Sequence, residues 1–278
     1  MSKKNSSISL ETFSQELAKR LADSPKYRAL NLPMETLSNL IERAASVSNS
    51  PKEVEDIVRR KLHNLVAPYL GDPDYAALQT GLSSLPQNPD APILQGFCRQ
   101  VLHSHSSTRE RLPLLEDFYP QLFARTGTPA ILLDLACGLN PFSLPWMHLP
   151  LGTLYFAYDL HKPRIDFINA FFQHVGQTGE AIHQDILLSP PEKEADVALF
   201  FKEAHRFEQR ERGSVRLFLQ RLNARHILLS LPTATLPGRR SMLEQDRKLV
   251  ESACSDQPWS VEEILFASEI VFWIRKQA

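Results

Sequence analysis

The sequence is poor in cysteine and glycine, has no long apolar run and carries almost no net charge. Its three cysteines, Cys98, Cys137 and Cys254, lie far apart among 278 residues, which argues against a disulfide framework. No cysteine or histidine pair has the spacing of a zinc site, and no segment is apolar over the length needed to cross a membrane. No signal peptide is visible at the start. We therefore expect a cytoplasmic protein with no bound metal and no membrane segment.

Basic and acidic residues nearly cancel over the whole chain. There are 31 lysine and arginine residues against 32 aspartate and glutamate residues, a formal net charge of −1. This balance excludes a protein that binds nucleic acid through a large overall positive charge. Any RNA-binding surface must therefore be a local patch.

The first hundred residues contain helical patterns only. Apolar residues recur at intervals of three and four, as on one face of a helix. The clearest pattern starts with Ser50 as the N-cap, Pro51 at the first helical position and Glu53 completing a capping box. We predict an all-helical N-terminal domain over 1–104, with helices over 9–23, 34–47, 51–66, 73–82 and 93–103.

The remainder of the chain, 105–278, alternates strands with helices. A second capping box, Ser107 with Glu110, is expected to begin the helix that leads into the first strand. The alternation predicts an α/β domain with a doubly wound, mostly parallel, Rossmann-like sheet of seven strands. Its last two strands form a predicted hairpin, as in methyltransferases that use S-adenosylmethionine (SAM). The strands are predicted at 131–135, 154–159, 181–185, 196–201, 226–231, 264–267 and 270–274, and the helices between them at 163–176, 206–222 and 241–254.

A turn of small residues follows the first buried strand. Ala136, Cys137 and Gly138 directly follow the apolar run that starts at Ile131, and a short helix is expected near Pro141. A buried strand, a tight turn and a helix start place backbone N–H groups around a ligand at the carboxyl edge of a sheet. The turn lacks the three glycines of a dinucleotide fingerprint, which argues against a nicotinamide dehydrogenase.

Acidic residues mark the neighbouring strand ends. Asp159 closes the second strand, 25 residues after Asp134 in the first, and Asp185 closes the third. Either Asp159 or Asp185 alone could be a helix N-cap. Repeated at successive strand ends, they favour an adenosine site in which Asp159 binds the ribose hydroxyls and Asp185 the adenine amino group.

Two further side chains near this edge have more than one reading. Arg109 is either a solvated charge or a bidentate partner for the carboxylate of a methionine moiety, which would compensate for its unfavourable place near a helix N-terminus. Cys137 is either a nucleophile or a small residue that fills the turn, and the second reading is favoured.

Basic residues cluster at a few places that could contact RNA. Arg59, Arg60 and Lys61 lie on the third helix, where charge runs are usually a solvated face. Lys202 ends the fourth strand, and Arg239 with Arg240 lies in the loop after the fifth, both at the edge where substrate would enter. By contrast, arginines over 206–216 alternate with Glu208 and Glu211, which predicts ordinary pairing on a helix surface.

Several of these motifs together resemble the FmrO-type 16S rRNA methyltransferases, aminoglycoside-resistance enzymes that methylate N7 of the decoding-site guanine 1405. The resemblance covers nearly the whole chain, and the Ala-Cys-Gly-Leu-Asn-Pro turn is its most specific part. The matching segments are Lys26–Leu30, Ser50–Lys52, Arg59, Leu62–His63, His105–Leu112, Leu133–Pro141, Asp159–His161, Gln184–Asp185 and Leu231–Thr233.

The resemblance implies a helical N-terminal domain that docks on the 30S ribosomal subunit and a C-terminal domain that binds SAM. We also expect a monomer. Implied SAM-binding residues are Arg109, Ala136, Gly138, Asp159, Asp185 and Ile186, and implied RNA-binding residues are Arg59, Arg60, Lys61, Lys202, Arg239 and Arg240.

Two departures from the family pattern fall on the substrate side. The family usually continues the Lys202 motif with Leu-Leu-Pro, and this chain has Glu203-Ala204-His205. Ala234 stands where an arginine follows the Pro-Thr motif. These changes leave the target nucleotide open. They also leave two alternatives: a SAM-dependent methyltransferase acting on another RNA or a small molecule, and a non-catalytic ribosome-binding protein.

Methylation of guanine N7 makes few chemical demands on the protein. This nitrogen already carries an in-plane lone pair, so no general base is predicted and catalysis should rest on positioning. N7 faces the deep, narrow groove of A-form RNA, so we expect a flipped base stacked on an aromatic side chain, with Phe201 and Trp146 as candidates.

Overall fold

The computed structural model of the chain describes residues 10–69, 71–233 and 239–276. Contacts between Cα atoms divide the chain into two compact units. One unit comprises residues up to Leu70 together with Leu160–Pro163, and the other comprises Gly71–Asp159 and the residues from Arg164 onward. This division falls well before the boundary expected after residue 104.

The first unit contains helices α1 (Leu10–Ala22), α2 (Met34–Ala45) and α3 (Pro51–Val66). Their apolar faces form one core in which Leu17, Ile41 and Val58 are almost fully buried. The N-cap predicted for α3 is confirmed, because the Ser50 hydroxyl accepts from the Glu53 N–H. The reciprocal half of the capping box is not formed, because the Ser50 N–H donates to the Ser48 hydroxyl, which in turn donates to the Glu53 carboxylate.

Helices α4 (Tyr75–Leu82) and α5 (Pro92–His103), expected in the N-terminal domain, belong to the second unit. The reason is packing: Leu94, Cys98 and Val101 of α5 are fully buried in the core that covers one face of the sheet. The remaining helices are α6 (Ser106–Arg109), α7 (Leu115–Thr126), α8 (Leu144–Met147), α9 (Lys162–Val175), α10 (Ala204–Arg210), α11 (Ser214–Arg221) and α12 (Arg239–Cys254).

The described residues of the second unit form one seven-stranded sheet, with strand order β3-β2-β1-β4-β5-β7-β6. The first five strands are parallel, and β7 runs antiparallel between β5 and β6, which confirms the doubly wound sheet and the terminal hairpin. The strands are β1 (Ile131–Leu135), β2 (Leu154–Asp159), β3 (Gly179–His183), β4 (Ala195–Phe201), β5 (Ala224–Pro232), β6 (Trp259–Leu265) and β7 (Glu269–Lys276).

Side chains of the strands alternate between two cores, as the two-residue period of a strand requires. Leu132 of β1 packs with α5, α7 and α9 on one face, and Leu133 packs with α10, α11 and α12 on the other. Strand β1 is therefore an interior strand of the sheet, covered on both faces. The carboxyl end of β1 lies beside the carboxyl ends of its parallel neighbours β2 and β4.

Several local predictions differ from the structure, and one is β6, which was expected over 264–267 and spans Trp259–Leu265. The helix expected over 206–222 is two helices, α10 and α11, separated at Gly213, whose φ is +80°. The capping box of Ser107 and Glu110 is absent, since His105 is the N-cap of α6 and makes no side-chain cap bond. Strand β3 ends at His183, so Asp185 lies two residues beyond it.

None of the described helices is long and apolar enough to cross a membrane.

Gly179 offers a test of how β3 is positioned. Its φ is +124°, and a Cβ built there would lie 2.0 Å from the Tyr155 carbonyl oxygen of β2. We expect Gly179→Ala to lower the free energy of unfolding by about 2–4 kcal/mol, since it combines backbone strain with a backbone clash. Chemical denaturation measures this change.

Gly176→Ala is the matched control, because φ is +68° there and no atom lies within 4 Å of the added carbon. It should cost about 1–2 kcal/mol from conformation alone. Equal losses for the two variants would contradict the close approach of β2 and β3 at Gly179.

Candidate functional site

The turn after β1 is held in an uncommon backbone conformation. Ala136 and Gly138 have φ values of +52° and +55°, in the left-handed region. The N–H of Cys137, between them, donates to the Tyr158 carbonyl oxygen at 2.8 Å. A Cβ at Gly138 would make only ordinary contacts, so the backbone conformation, and not lack of space, favours glycine. The turn is thereby fixed to the end of β2.

The acidic residue that ends β2 contacts this turn directly. Asp159 is 4% exposed, and its Oδ2 accepts from the Gly138 N–H at 2.9 Å. The same oxygen lies 3.3 Å from Nη1 of Arg164. Sequence reasoning assigned the turn and Asp159 to one adenosine site, and the structure has them in hydrogen-bond contact. A carboxylate offers about four acceptor positions, so its chemistry suits the binding of ligand hydroxyls.

Asp185 lies at the next strand end but has an unexpected partner. It is 1% exposed, and its carboxylate receives a bidentate pair of hydrogen bonds from Arg210 of α10, one of 2.9 Å. The prediction that Arg210 pairs on the helix surface with Glu208 or Glu211 was wrong. The adjacent Ile186 is 4% exposed.

A buried polar network supports the turn from the other side. Asn140 accepts at Oδ1 from Arg111 at 2.7 Å and Tyr119 at 2.6 Å, and donates through Nδ2 to Asp134 at 2.9 Å. Arg111, only 2% exposed, forms a two-bond ion pair with Glu269 of β7 at 2.7 and 2.8 Å. Sequence reasoning missed Arg111 and Glu269, which are 158 residues apart.

Burial and pairing shift the pKa values within this network. Burial raises the pKa of Asp134 to about 7, although hydrogen bonds from Tyr155 and Asn140 oppose the shift. For Glu269, burial alone would raise the pKa, but the Arg111 guanidinium outweighs burial and lowers it. Arg111 and Glu269 are therefore a charged pair that holds β7 to the segment before α7.

The Cys137 thiol is buried, and burial raises its pKa well above the usual range. Because the thiolate is the nucleophile, this cysteine suits its favoured interpretation as a small residue of the turn.

Arg109 and Lys202 occupy the same neighbourhood in different states. Arg109 ends α6 and is exposed, and its guanidinium has no hydrogen-bonding partner within the described part of the chain. Lys202 follows β4 with φ of +59°, and its side chain is 8% exposed. Its Nζ donates to the Ser107 carbonyl oxygen at 3.2 Å and to Glu110 at 2.8 Å. Lys202 thus ties the end of β4 to the segment that carries Arg109.

The two aromatic side chains suggested for stacking on the target base, Phe201 and Trp146, are packed largely against other residues of the protein. Trp146 is 1% exposed, donates to Glu116 at 2.9 Å and has the Arg99 guanidinium 4.7 Å above its ring. It therefore offers no face to a base in this structure. Phe201 is half-buried, with the Arg111 guanidinium 4.5 Å from its ring.

The basic residues suggested for RNA binding differ in their surroundings. Arg59 pairs with Glu55 on the surface of α3, while Arg60 and Lys61 are exposed and have no side-chain partner among the residues described. Helix α12 begins at Arg239, but the side chains of Arg239 and Arg240, like Ala234, lie outside the described part.

The chain has clear similarity to known proteins. A profile of the family described as ribosomal RNA methyltransferase (FmrO) matches residues 23–274. The chain is 32% identical over 243 residues to the 16S rRNA (guanine(1405)-N(7))-methyltransferase of Micromonospora rosea, covering 85% of this chain and 88% of that protein. The enzyme of the same name from Frankia casuarinae is 29% identical over 263 residues, covering 92% of this chain and 91% of the relative.

Solved structures give the same result. The 16S rRNA methylase RmtB superposes with a TM-score of 0.77 at 26% identity, covering 95% of this chain and 98% of that one. The 16S rRNA methyltransferase RmtF, in complex with S-adenosylhomocysteine, gives the same TM-score, identity and coverage.

The fold and the site together identify the general class of enzyme, and the comparisons then identify the family. A seven-stranded sheet with an antiparallel β7, and an acidic residue of β2 bonded to the turn after β1, are features of a SAM-dependent methyltransferase. Within that class the chain belongs to the FmrO family of ribosomal RNA methyltransferases.

Glu203, at one of the departures from the family pattern, makes the free energy of unfolding depend on pH. Burial raises the pKa of its carboxyl to about 7, with Asp159 adding to the shift and Arg206 opposing it. The folded state therefore holds this proton to a higher pH than the unfolded chain. The corresponding stabilisation is present below about pH 4.5 and is lost as the pH rises through 7.

We expect Glu203→Gln to gain stability relative to the wild type as the pH rises from 5 to 8, by on the order of 2 kcal/mol. Urea unfolding at each pH measures the difference. Glu251→Gln, at an exposed position of α12, should show no such trend. Parallel pH profiles for the wild type and Glu203→Gln would contradict the assignment.

Proposed function

We propose that this chain methylates N7 of guanine 1405 of 16S rRNA in the 30S subunit, using SAM, and that it thereby confers aminoglycoside resistance. The observation that carries the cofactor part is the contact between Gly138 and Asp159 at the carboxyl edge of the sheet. The target is supported by relatives named for this reaction and by the chain's membership of the family.

The residues at this edge fit an adenosyl ligand. Asp159 is a buried acceptor already fixed in orientation, suited to ribose hydroxyls. Asp185 and Ile186 follow β3 as a polar and an apolar side chain, suited to the edge and face of adenine. Ala136 and Gly138 would border the methionine part, and the exposed guanidinium of Arg109 would bind its carboxylate.

The protein's contribution to catalysis is positioning. When bound, SAM supplies a methyl group on a sulfonium that guanine N7 can attack with its own lone pair. No residue needs to remove a proton, so we assign no general base. The chain instead holds the cofactor at a rigid turn and brings the base into line with it.

RNA docking is assigned to local basic residues, since the whole chain is nearly neutral. We assign phosphate contacts to Arg59, Arg60 and Lys61, with Arg239 and Arg240 contacting RNA near the target. Lys202 would need to release Glu110 and the Ser107 carbonyl before it could contact the base. We propose a monomer acting on an assembled subunit.

The direct test is methyl transfer from labelled SAM to purified 30S subunits and to protein-free 16S rRNA, followed by mapping of the modified nucleotide. We expect label on 30S at N7 of guanine 1405. Label at another position would show that the altered residues near Lys202 redirect the target. Absence of label despite cofactor binding would overturn the proposed substrate.

Asp159→Asn tests the ribose assignment. It replaces a charged acceptor with an amide, and the loss of two charge-assisted hydrogen bonds should raise the Kd for S-adenosylhomocysteine by about 100-fold. Isothermal titration calorimetry measures this. Asp256→Asn is the control, because it makes the same change at an exposed residue whose backbone φ is +61°. It should bind S-adenosylhomocysteine with unchanged affinity. Unaltered affinity of a folded Asp159→Asn protein would remove Asp159 from the site.

Reversing charge on α3 tests the docking assignment. The double variant Arg60→Glu with Lys61→Glu should keep cofactor affinity but raise the KM for 30S about tenfold or more, with a shallower salt dependence. The control, Arg125→Glu with Lys193→Glu, makes the same charge change at exposed positions near the amino edge of the sheet. Equal effects of the two double variants would mean that α3 is only a solvated face.

A further inference from the structure

A buried arginine beside the candidate cofactor site makes contacts that its charge does not require. Arg164, near the start of α9, is 2% exposed. Its Nη2 donates to both oxygens of Asp72 at 2.7 and 2.8 Å, and its Nε donates to the Tyr75 hydroxyl at 3.1 Å. Nη1 then lies 3.3 Å from Oδ2 of Asp159. One guanidinium thus serves two buried carboxylates.

Charge balance alone does not explain this arrangement. A single carboxylate neutralises a buried guanidinium, and Asp72 with its side chain 5% exposed already does so. The contact to Asp159 comes in addition. Since a guanidinium is planar, the bonds to Asp72 and Tyr75 fix the direction in which Nη1 points.

The anchor of Arg164 is itself held in place. Tyr75 begins α4, and its hydroxyl donates to the Asp72 carboxylate while accepting from Arg164. Burial raises the pKa of this hydroxyl, so it keeps its proton and remains a donor. Asp72 and Tyr75 are about 90 residues away from Arg164 in sequence, so the segment before α4 braces the carboxyl end of β2 from outside the sheet.

We propose that Arg164, braced by Asp72, is a positioning residue that orients the Asp159 carboxylate for the ribose of the cofactor. This inference rests on the proposed SAM-binding function. Asp159 receives the Gly138 N–H and Arg164 Nη1 on the same oxygen, Oδ2. Two donors on one oxygen restrict rotation of the carboxylate and set the direction of its other oxygen before any ligand arrives. Preorganisation of this kind appears as affinity.

The test compares Arg164→Lys, Asp72→Asn and the double variant. Lysine at position 164 keeps the positive charge but cannot donate to both carboxylates in one plane. Asparagine at position 72 keeps the shape of the side chain but removes the negative charge that pairs with Arg164. Each single variant should raise the Kd for S-adenosylhomocysteine about tenfold, as expected for one weakened charge-assisted hydrogen bond. The double variant should lose little more than either single one, because both changes act through the same contact.

Kinetics separate positioning from a general structural role. We expect a raised KM for SAM with a kcat near that of the wild type at saturating cofactor. Arg216→Lys, which alters a partly exposed arginine paired with Asp256, is the matched control and should change neither quantity. Thermal unfolding without ligand shows whether each protein is folded, and Asp72→Asn carries the test if Arg164→Lys does not fold.

The possible failures can be told apart. Normal cofactor affinity in a folded Arg164→Lys or Asp72→Asn protein, or a loss of kcat with KM unchanged, would overturn the positioning role alone. Failure of the wild type to bind S-adenosylhomocysteine in the same titration would overturn the proposed cofactor and this inference together.

Discussion

The hydrogen bond from the Gly138 N–H to the Asp159 carboxylate is the contact on which the candidate site depends. It requires the left-handed turn after β1, the parallel alignment of β1 with β2, and an acidic residue at the last position of β2. Each requirement comes from a different level of structure. The turn and the acid are local, whereas their meeting is a property of the sheet.

Two buried polar networks hold the turn, and each contains an arginine. On one side Arg164 joins Asp159 to Asp72, and on the other Arg111 joins Asn140 to Glu269 of β7. Buried charges cost desolvation energy, and such pairs often contribute little net stability. Their value here is geometric, because both networks end on residues that shape one edge of the sheet.

The local features of this site were predicted from the sequence, but the side-chain pairings between distant segments were not. The apolar strand, the small-residue turn and the acid of β2 follow from periodicity and spacing, and so does the doubly wound sheet. Arg111 pairs with Glu269 across 158 residues, and Arg164 pairs with Asp72 across 92 residues. No local sequence pattern indicates which distant partner a charged residue will have. The division of the chain after residue 70 was missed for the same reason, since α5 reads as one more amphipathic helix until its partner is known.

A crystal structure of the protein with S-adenosylhomocysteine is the most direct test of a cofactor site preformed around the contact between Gly138 and Asp159. We predict that the ribose hydroxyls lie within hydrogen-bond distance of Asp159, with the Gly138 N–H still bonded to Oδ2. We also predict little change in the positions of Arg164 and Asp72 on binding. A nucleoside bound away from Asp159, or a turn that rearranges to admit the ligand, would contradict the claim that the site is preformed around this contact.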